Sequence, residues 1–172
     1  MTLVVLHQHE YSTCPSTSFE DDALHILPVS DCPLTSEASS AVIQPRGDYV
    51  LVYTRGRVSY APCNTVITVK GLAVYVLCRD PLPPPERCPD ANAILVATRL
   101  WSPPGEAQRE ARRLVYKLMS LSALCGVPVL FANVWGATRN MVYIGYTGIY
   151  DYDRSVPLHL GLLGDGKIAL SI

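Results

Sequence analysis

Residues 74–86 read VYVLCRDPLPPPE. The apolar run from Val74 to Leu77 delivers Cys78 and then stops, because Pro81 and Pro83-Pro84-Pro85 fix φ and remove backbone donors that a strand interior needs. The stretch therefore reads as a strand that ends in a rigid loop, with Cys78 at the join. Two roles fit a cysteine there. It is either a nucleophile presented at a strand end or a small buried hydrophobe, since free cysteine is among the most buried residue types. Likewise, the proline run serves as an elbow, and Glu86 caps or pairs within it.

Working outward, residues 65–70 and 72–77 read as two strands meeting at a tight turn around Gly71. Residues 93–98 form a continuous apolar run of strand length, the pattern of a strand covered on both faces. Pro103-Pro104-Gly105-Glu106 opens a helix over 106–125. In it Ala111, Leu114, Val115, Leu118, Leu121 and Ser122 recur at three- and four-residue steps, Gln108, Arg109, Arg112, Arg113 and Lys117 lie mostly on the other face, and Gly126 is the stop. Residues 127–133, 141–150 and 167–172 read as further strands. Upstream, strands are expected over 2–7, 23–27, 41–44 and 49–54, with a turn at Pro45-Arg46-Gly47-Asp48. The polar links between them leave little room for helices. Many strands around few helices indicate an α/β or α+β sheet domain.

At 172 residues the chain fits one domain with a sizeable core. Apolar residues at 49% exclude wholesale disorder, and a net charge of −1 gives no electrostatic footprint for nucleic acid. The opening MTLVVL is too short and uncharged for a signal peptide, and no apolar run approaches a bilayer span, so a soluble cytoplasmic protein is expected. The cysteines at 14, 32, 63, 78, 88 and 125 form no CxxC pair, which predicts reduced thiols rather than disulfides or zinc. His7 and His9 share a strand face, with nothing nearby to complete a metal site.

In order from Gly71 the chain presents a strand, Cys78-Arg79-Asp80, a proline-Glu loop, Asp90-Ala91-Asn92-Ala93, an apolar strand, Trp101-Ser102-Pro103, a helix, then GVPVLFAN at 126–133, Gly136, and YIGYTGIYD at 143–151. This order resembles the second half of a nitrilase-superfamily carbon–nitrogen hydrolase over residues 65–172. Upstream, MTLVVLHQH at 1–9 is similar to the family's first strand. DALHILP at 22–28 is similar to its second, which normally ends in Pro-Glu with that Glu as general base. Here Val29 follows Pro28. Residues 41–48 followed by Tyr53-Thr54-Arg55-Gly56-Arg57-Val58 resemble the strand, turn and Tyr-Arg-Lys segment that supplies the catalytic lysine, and here Arg55 holds that place. The helices expected between these strands have no counterpart. The resemblance therefore implies one nitrilase-like α/β sheet sandwich over 1–172, with a shortened N-terminal part (1–64), a better-matching C-terminal part (65–172) and few helices.

Hydrolysis of an amide or nitrile by a thiol needs a nucleophile, a base, and a charge for the tetrahedral oxyanion. By resemblance Cys78 is the nucleophile, the backbone N–H of Arg79 an oxyanion donor, Arg55 the positive charge, and Trp101 and Asn133 pocket residues. A buried Trp and a loop Asn that satisfies backbone groups are equally ordinary readings of the last two. Arg55 cannot shuttle protons and Val29 cannot accept one; Asp31, Glu37, Glu10 and His25 are the substitute bases within the sequence. No metal and no cofactor is expected. The leading reading is a catalytically impaired domain acting through a protein partner or homo-oligomer, with the 106–125 helix at one interface. A working thiol hydrolase of a small amide or nitrile is the second, and a nucleic-acid binder using Arg55, Arg57, Arg109, Arg112 and Arg113 the third.

Overall fold

The computed structural model describes residues 1–14, 19, 22–33, 40–79, 81, 84–154 and 157–172. In chain order the elements are β1 (Leu3–Gln8), β2 (Leu24–Ile26), β3 (Ala41–Pro45), β4 (Tyr49–Thr54), β5 (Arg57–Pro62), β6 (Thr65–Val69), β7 (Leu72–Leu77), β8 (Ala93–Val96), β9 (Trp101–Ser102), α1 (Ala107–Cys125), β10 (Val129–Phe131), β11 (Trp135–Ala137), β12 (Val142–Ile144), β13 (Gly148–Tyr150), β14 (Leu158–His159) and β15 (Gly166–Ser171). They form two six-stranded sheets, ordered β15-β1-β2-β3-β4-β5 and β14-β13-β10-β8-β7-β6, with a small β11-β12-β9 sheet beside them. Each large sheet contains three adjacent parallel strands, β1-β2-β3 and β7-β8-β10, and its other neighbouring strands run antiparallel.

Strand alternation builds the layers. In β4, Val50 and Val52 enter the core between the sheets, while Leu51 and Tyr53 face outward with Leu27, Val42 and Phe19. In β8, Ala93 and Leu95 join that inter-sheet core, and Ile94 and Val96 face α1. The continuous apolar run at 93–98 thus reports a strand buried on both sides. α1 lays Ala111, Leu114, Leu118 and Leu121 on this second sheet and ends where Gly126 takes φ 67° and donates its N–H to Ser122 O.

The expected α/β class is corrected to a mostly-β sandwich. A helix covers the second sheet, but the links between the parallel strands of the first carry none among their described residues. β5 was not foreseen: most of its residues are exposed, so it shows no hydrophobic period. The expectation of reduced thiols is also corrected. The structure pairs Cys14 with Cys32, Cys63 with Cys78, and Cys88 with Cys125. Their partners lie 15 to 37 residues apart, and pairings at such separations are set by the fold rather than by local spacing. Among the described residues no helix is long and apolar enough to cross a membrane.

Candidate functional site

Open sheets with parallel strands bind ligands beyond the strands' carboxyl ends. Here those ends from both sheets meet at one cleft of about 420 Å³, lined among others by Val29 after β2, Arg46 after β3, Cys78 after β7 and Thr98-Arg99 after β8. The end of β7 thus brings Cys78 to the cleft. There its Sγ is bonded to Cys63, with 5.6 Å between the two Cα atoms. Cys63 arrives from the end of β5, and its N–H donates to Asp48 O at 3.3 Å, so the β3–β4 turn, β5 and β7 are joined at this point.

Arg55 is elsewhere. It occupies the β4–β5 turn with φ 48° and borders a separate cavity with Ala41, Thr54 and Lys70. β4 is six residues long, which puts that turn roughly 20 Å from the β3–β4 turn at the cleft. The strand that returns to Cys78 is β5, and what it delivers is a cysteine rather than a cation. Arg79 follows Cys78 in an exposed bend.

Trp101 and Asn133 do not line the cleft either. Trp101 is 54% exposed, pairs with Tyr143 across β9 and β12, and borders a small cavity beside Glu110, Arg113 and Lys117. Asn133 is buried at the end of β10; its N–H donates to Thr147 Oγ1 at 2.9 Å and its Nδ2 to Leu100 O at 3.4 Å. Its Oδ1 is buried without a partner.

Of the substitute bases, Asp31 lines the cleft with its side chain 98% exposed. His25 lies on the outer face of the first sheet, 2.9 Å from His7 Nε2 through its Nδ1 and against the Phe19 ring. Its strand neighbours Leu24 and Ile26 fill the inter-sheet core against which Cys78 packs, so the sheet separates the imidazole from the sulfur. Glu10 donates its N–H to Asp165 at 3.0 Å. Glu37 and Asp80 lie outside the described residues.

The sequence reading assigns no site role to Arg46 or Arg99, and it weighs His9 only as a metal ligand. Arg46 Nη2 donates to Cys32 O at 2.7 Å and Gln44 Oε1 at 3.2 Å. Arg99 donates to Val29 O from Nε at 3.2 Å and Nη2 at 2.8 Å. His9, 5% exposed beyond β1, pairs Nδ1 with Glu10 O at 2.8 Å, and its Nε2 is buried without a partner. Burial lowers the His9 pKa and the Arg99 charge adds to this, against the Glu10 carbonyl and Asp165. The two arginines lacked any sequence signal because each becomes a cleft residue only when non-adjacent strands align.

No family profile matches the sequence, and no curated protein does. Solved structures do match. A CN-hydrolase superfamily protein of Xanthomonas campestris, with an arsenic adduct in its active site, gives a TM-score of 0.63 at 13% identity, over 99% of this chain and 90% of its own. A mutant of the Nesterenkonia AN1 amidase from the nitrilase superfamily gives 0.66 at 15% identity, over 99% and 91%. The glutamine-dependent NAD+ synthetase of Acinetobacter baumannii gives 0.65 at 12% identity, over 98% of this chain and 45% of its own. The chain therefore shares the fold of these structures over nearly its whole length.

Proposed function

We propose that this chain is a nitrilase-fold domain with impaired hydrolytic chemistry that acts by binding a protein partner or a second copy of itself. One observation carries this reading: the cysteine at the strand end is bonded to Cys63, and a disulfide sulfur is not an attacking thiolate. Two further features support it. At the position where the resemblance places a general base, Val29 offers only a backbone carbonyl, which Arg99 holds. The proposed positive charge, Arg55, belongs to the far end of β4.

For self-association we favour the open edge of the first sheet over the helix. β5 exposes Val58 (47%) and Tyr60 (73%) beside Tyr49, and an edge strand with apolar side chains and free backbone groups favours strand pairing. The outward face of α1 instead carries Arg109, Arg112, Arg113 and Lys117, which Glu106 and Glu110 offset only in part, so a symmetric contact there sets net positive charge against itself. The nucleic-acid reading is weakened because its arginines divide between the β4–β5 turn and this helix, on different layers. Three disulfides favour an oxidising compartment over the cytoplasm.

The second reading, a Cys78 thiol hydrolase of small amides or nitriles, is favoured by the place of Cys78 in the cleft and requires reduction first. Ammonia release from a panel of small amides, with and without reductant, separates the two. No release under either condition is expected. Release that needs reductant and disappears in Cys78→Ser would overturn the impaired reading. Light scattering of native protein and Tyr60→Lys tests the association arm, with a larger species expected only for the native chain.

A further inference from the structure

The two guanidiniums at the cleft come from different sheets and are held by the same loop. Arg46, from the β3–β4 turn, has a side chain only 15% exposed and is fixed on Cys32 O and Gln44 Oε1. Arg99, from the end of β8, clasps Val29 O with two of its donors. Neutral carbonyls orient a guanidinium without cancelling its charge, and each guanidinium has five N–H donors to satisfy. Arg46 Nε is buried with no acceptor, which shows that its contacts do not satisfy it.

Among the described residues, the acid lining this cleft is Asp31, 3.6 Å from Arg46 Nη1 with its side chain 98% exposed. A pair this open to solvent contributes little. Asp165, an acid electrostatically linked to His9 as Arg99 is, already accepts from Trp135 Nε1 at 2.6 Å and from Glu10 N–H at 3.0 Å. Among the described residues, the cleft thus combines small-ligand size with two orientated positive groups and one loosely held negative group.

We propose that this cleft is a binding site for a small organic carboxylate, held by Arg99 and Arg46 and competing with the Asp31 side chain. Guanidinium forks match carboxylates in bidentate geometry, and a volume of about 420 Å³ suits a compact organic acid. The proposal concerns the same cleft as the impaired-site reading and rests on that reading for the cleft's role in binding. It requires no reactive thiol.

Calorimetry on the disulfide-intact protein, at low and high salt, uses succinate, the neutral isostere succinamide, and inorganic phosphate as probes. Succinate binds, and succinamide binds about tenfold more weakly or less, as expected for loss of charge-assisted hydrogen bonds. Arg99→Gln weakens succinate by about tenfold or more, with folding checked by thermal melting. Asp31→Asn, at a surface side chain, tightens it. Equal binding of succinate and succinamide overturns the site, as does no succinate binding to native protein. Equal binding of phosphate and succinate shows general charge attraction and also overturns it. Where Arg99→Gln fails to fold, the Asp31→Asn arm decides: unchanged or weaker succinate binding overturns the proposal. Ammonia release from succinamide in the same samples would sink the impaired reading and leave the carboxylate site standing. Failure of succinate to bind removes the site and leaves the impaired reading intact.

Discussion

Removing the Cys63–Cys78 bond tests both the architecture and the assignment of the cleft. The bond closes a loop whose ends are 15 residues apart, so opening it in a Cys63→Ser, Cys78→Ser variant restores loop entropy to the unfolded chain, about 3 kcal/mol at 25 °C. For a chain of this size that lowers the melting temperature by roughly 6–12 °C. Cys88–Cys125 spans 37 residues, and its loss should cost ~0.8 kcal/mol more by the logarithmic dependence on loop length. Urea unfolding without reductant measures both variants against native protein, and alkylation followed by intact mass counts free thiols. A cost below about 1 kcal/mol for the serine pair would refute the loop argument, because that is well under the entropic term. Alkylation of six thiols in native protein without reductant would refute the bond itself. The single variant Cys63→Ser adds a sharper arm. It leaves Cys78 as a thiol in a cleft with Arg46 and Arg99, whose charges favour the thiolate. Its labelling at neutral pH should outpace that of the same thiol in the unfolded chain, and equal rates would contradict the electrostatics derived for the site.

His9 gives a pH signature. Burial holds its folded pKa below the ordinary value near 6.5, so the unfolded chain binds more protons in that window; this contribution is complete above about pH 6.5 and is lost as pH falls towards the folded pKa. Melting temperatures at pH 7.5 and 5.0 should therefore drop more for native protein than for His9→Gln, and identical drops would exclude His9 as the source. At Gly145 the backbone takes φ 63°, and an added Cβ would lie 2.6 Å from Leu162 O and 3.0 Å from Gly161 O. Gly145→Ala should cost about 2 kcal/mol or more in urea unfolding, and a neutral result would mean that the 161–162 backbone yields freely.

The sequence displayed the second sheet more clearly than the first, for reasons that lie in burial. Residues 93–96 are apolar because β8 has a sheet on one side and α1 on the other, and the three-and-four spacing of Leu114, Leu118 and Leu121 reports a helix with a single buried face. β5 gives no such signal, since Val58, Ser59 and Tyr60 are all exposed. The hairpin that turns at Arg55-Gly56 and carries Cys63 back to Cys78 therefore has no hydrophobic pattern in the sequence. The clasp of Arg99 on Val29 O joins residues 70 positions apart, and no local pattern encodes it.

The disulfides explain how a sandwich with so little helix is held. The outward face of the first sheet carries Leu27, Val42, Leu51 and Tyr53, all buried, although no helix covers it among the described residues. Cover comes in part from Phe19, which packs on that cluster and on His7 and His25. Phe19 lies in the link after β1, and Cys14 in that link is bonded to Cys32 in the link after β2. Cys32 O in turn receives Arg46 and Gln44. A covalent fastening of two loops thus adds stability by restricting the unfolded chain, beside a face that no helix covers among the described residues. The same logic applies at Cys63–Cys78, but with a chemical consequence: the bond that fastens the end of β5 to the end of β7 uses the one cysteine that the fold presents to the cleft. While it is held in this bond, that sulfur is not available as a thiolate.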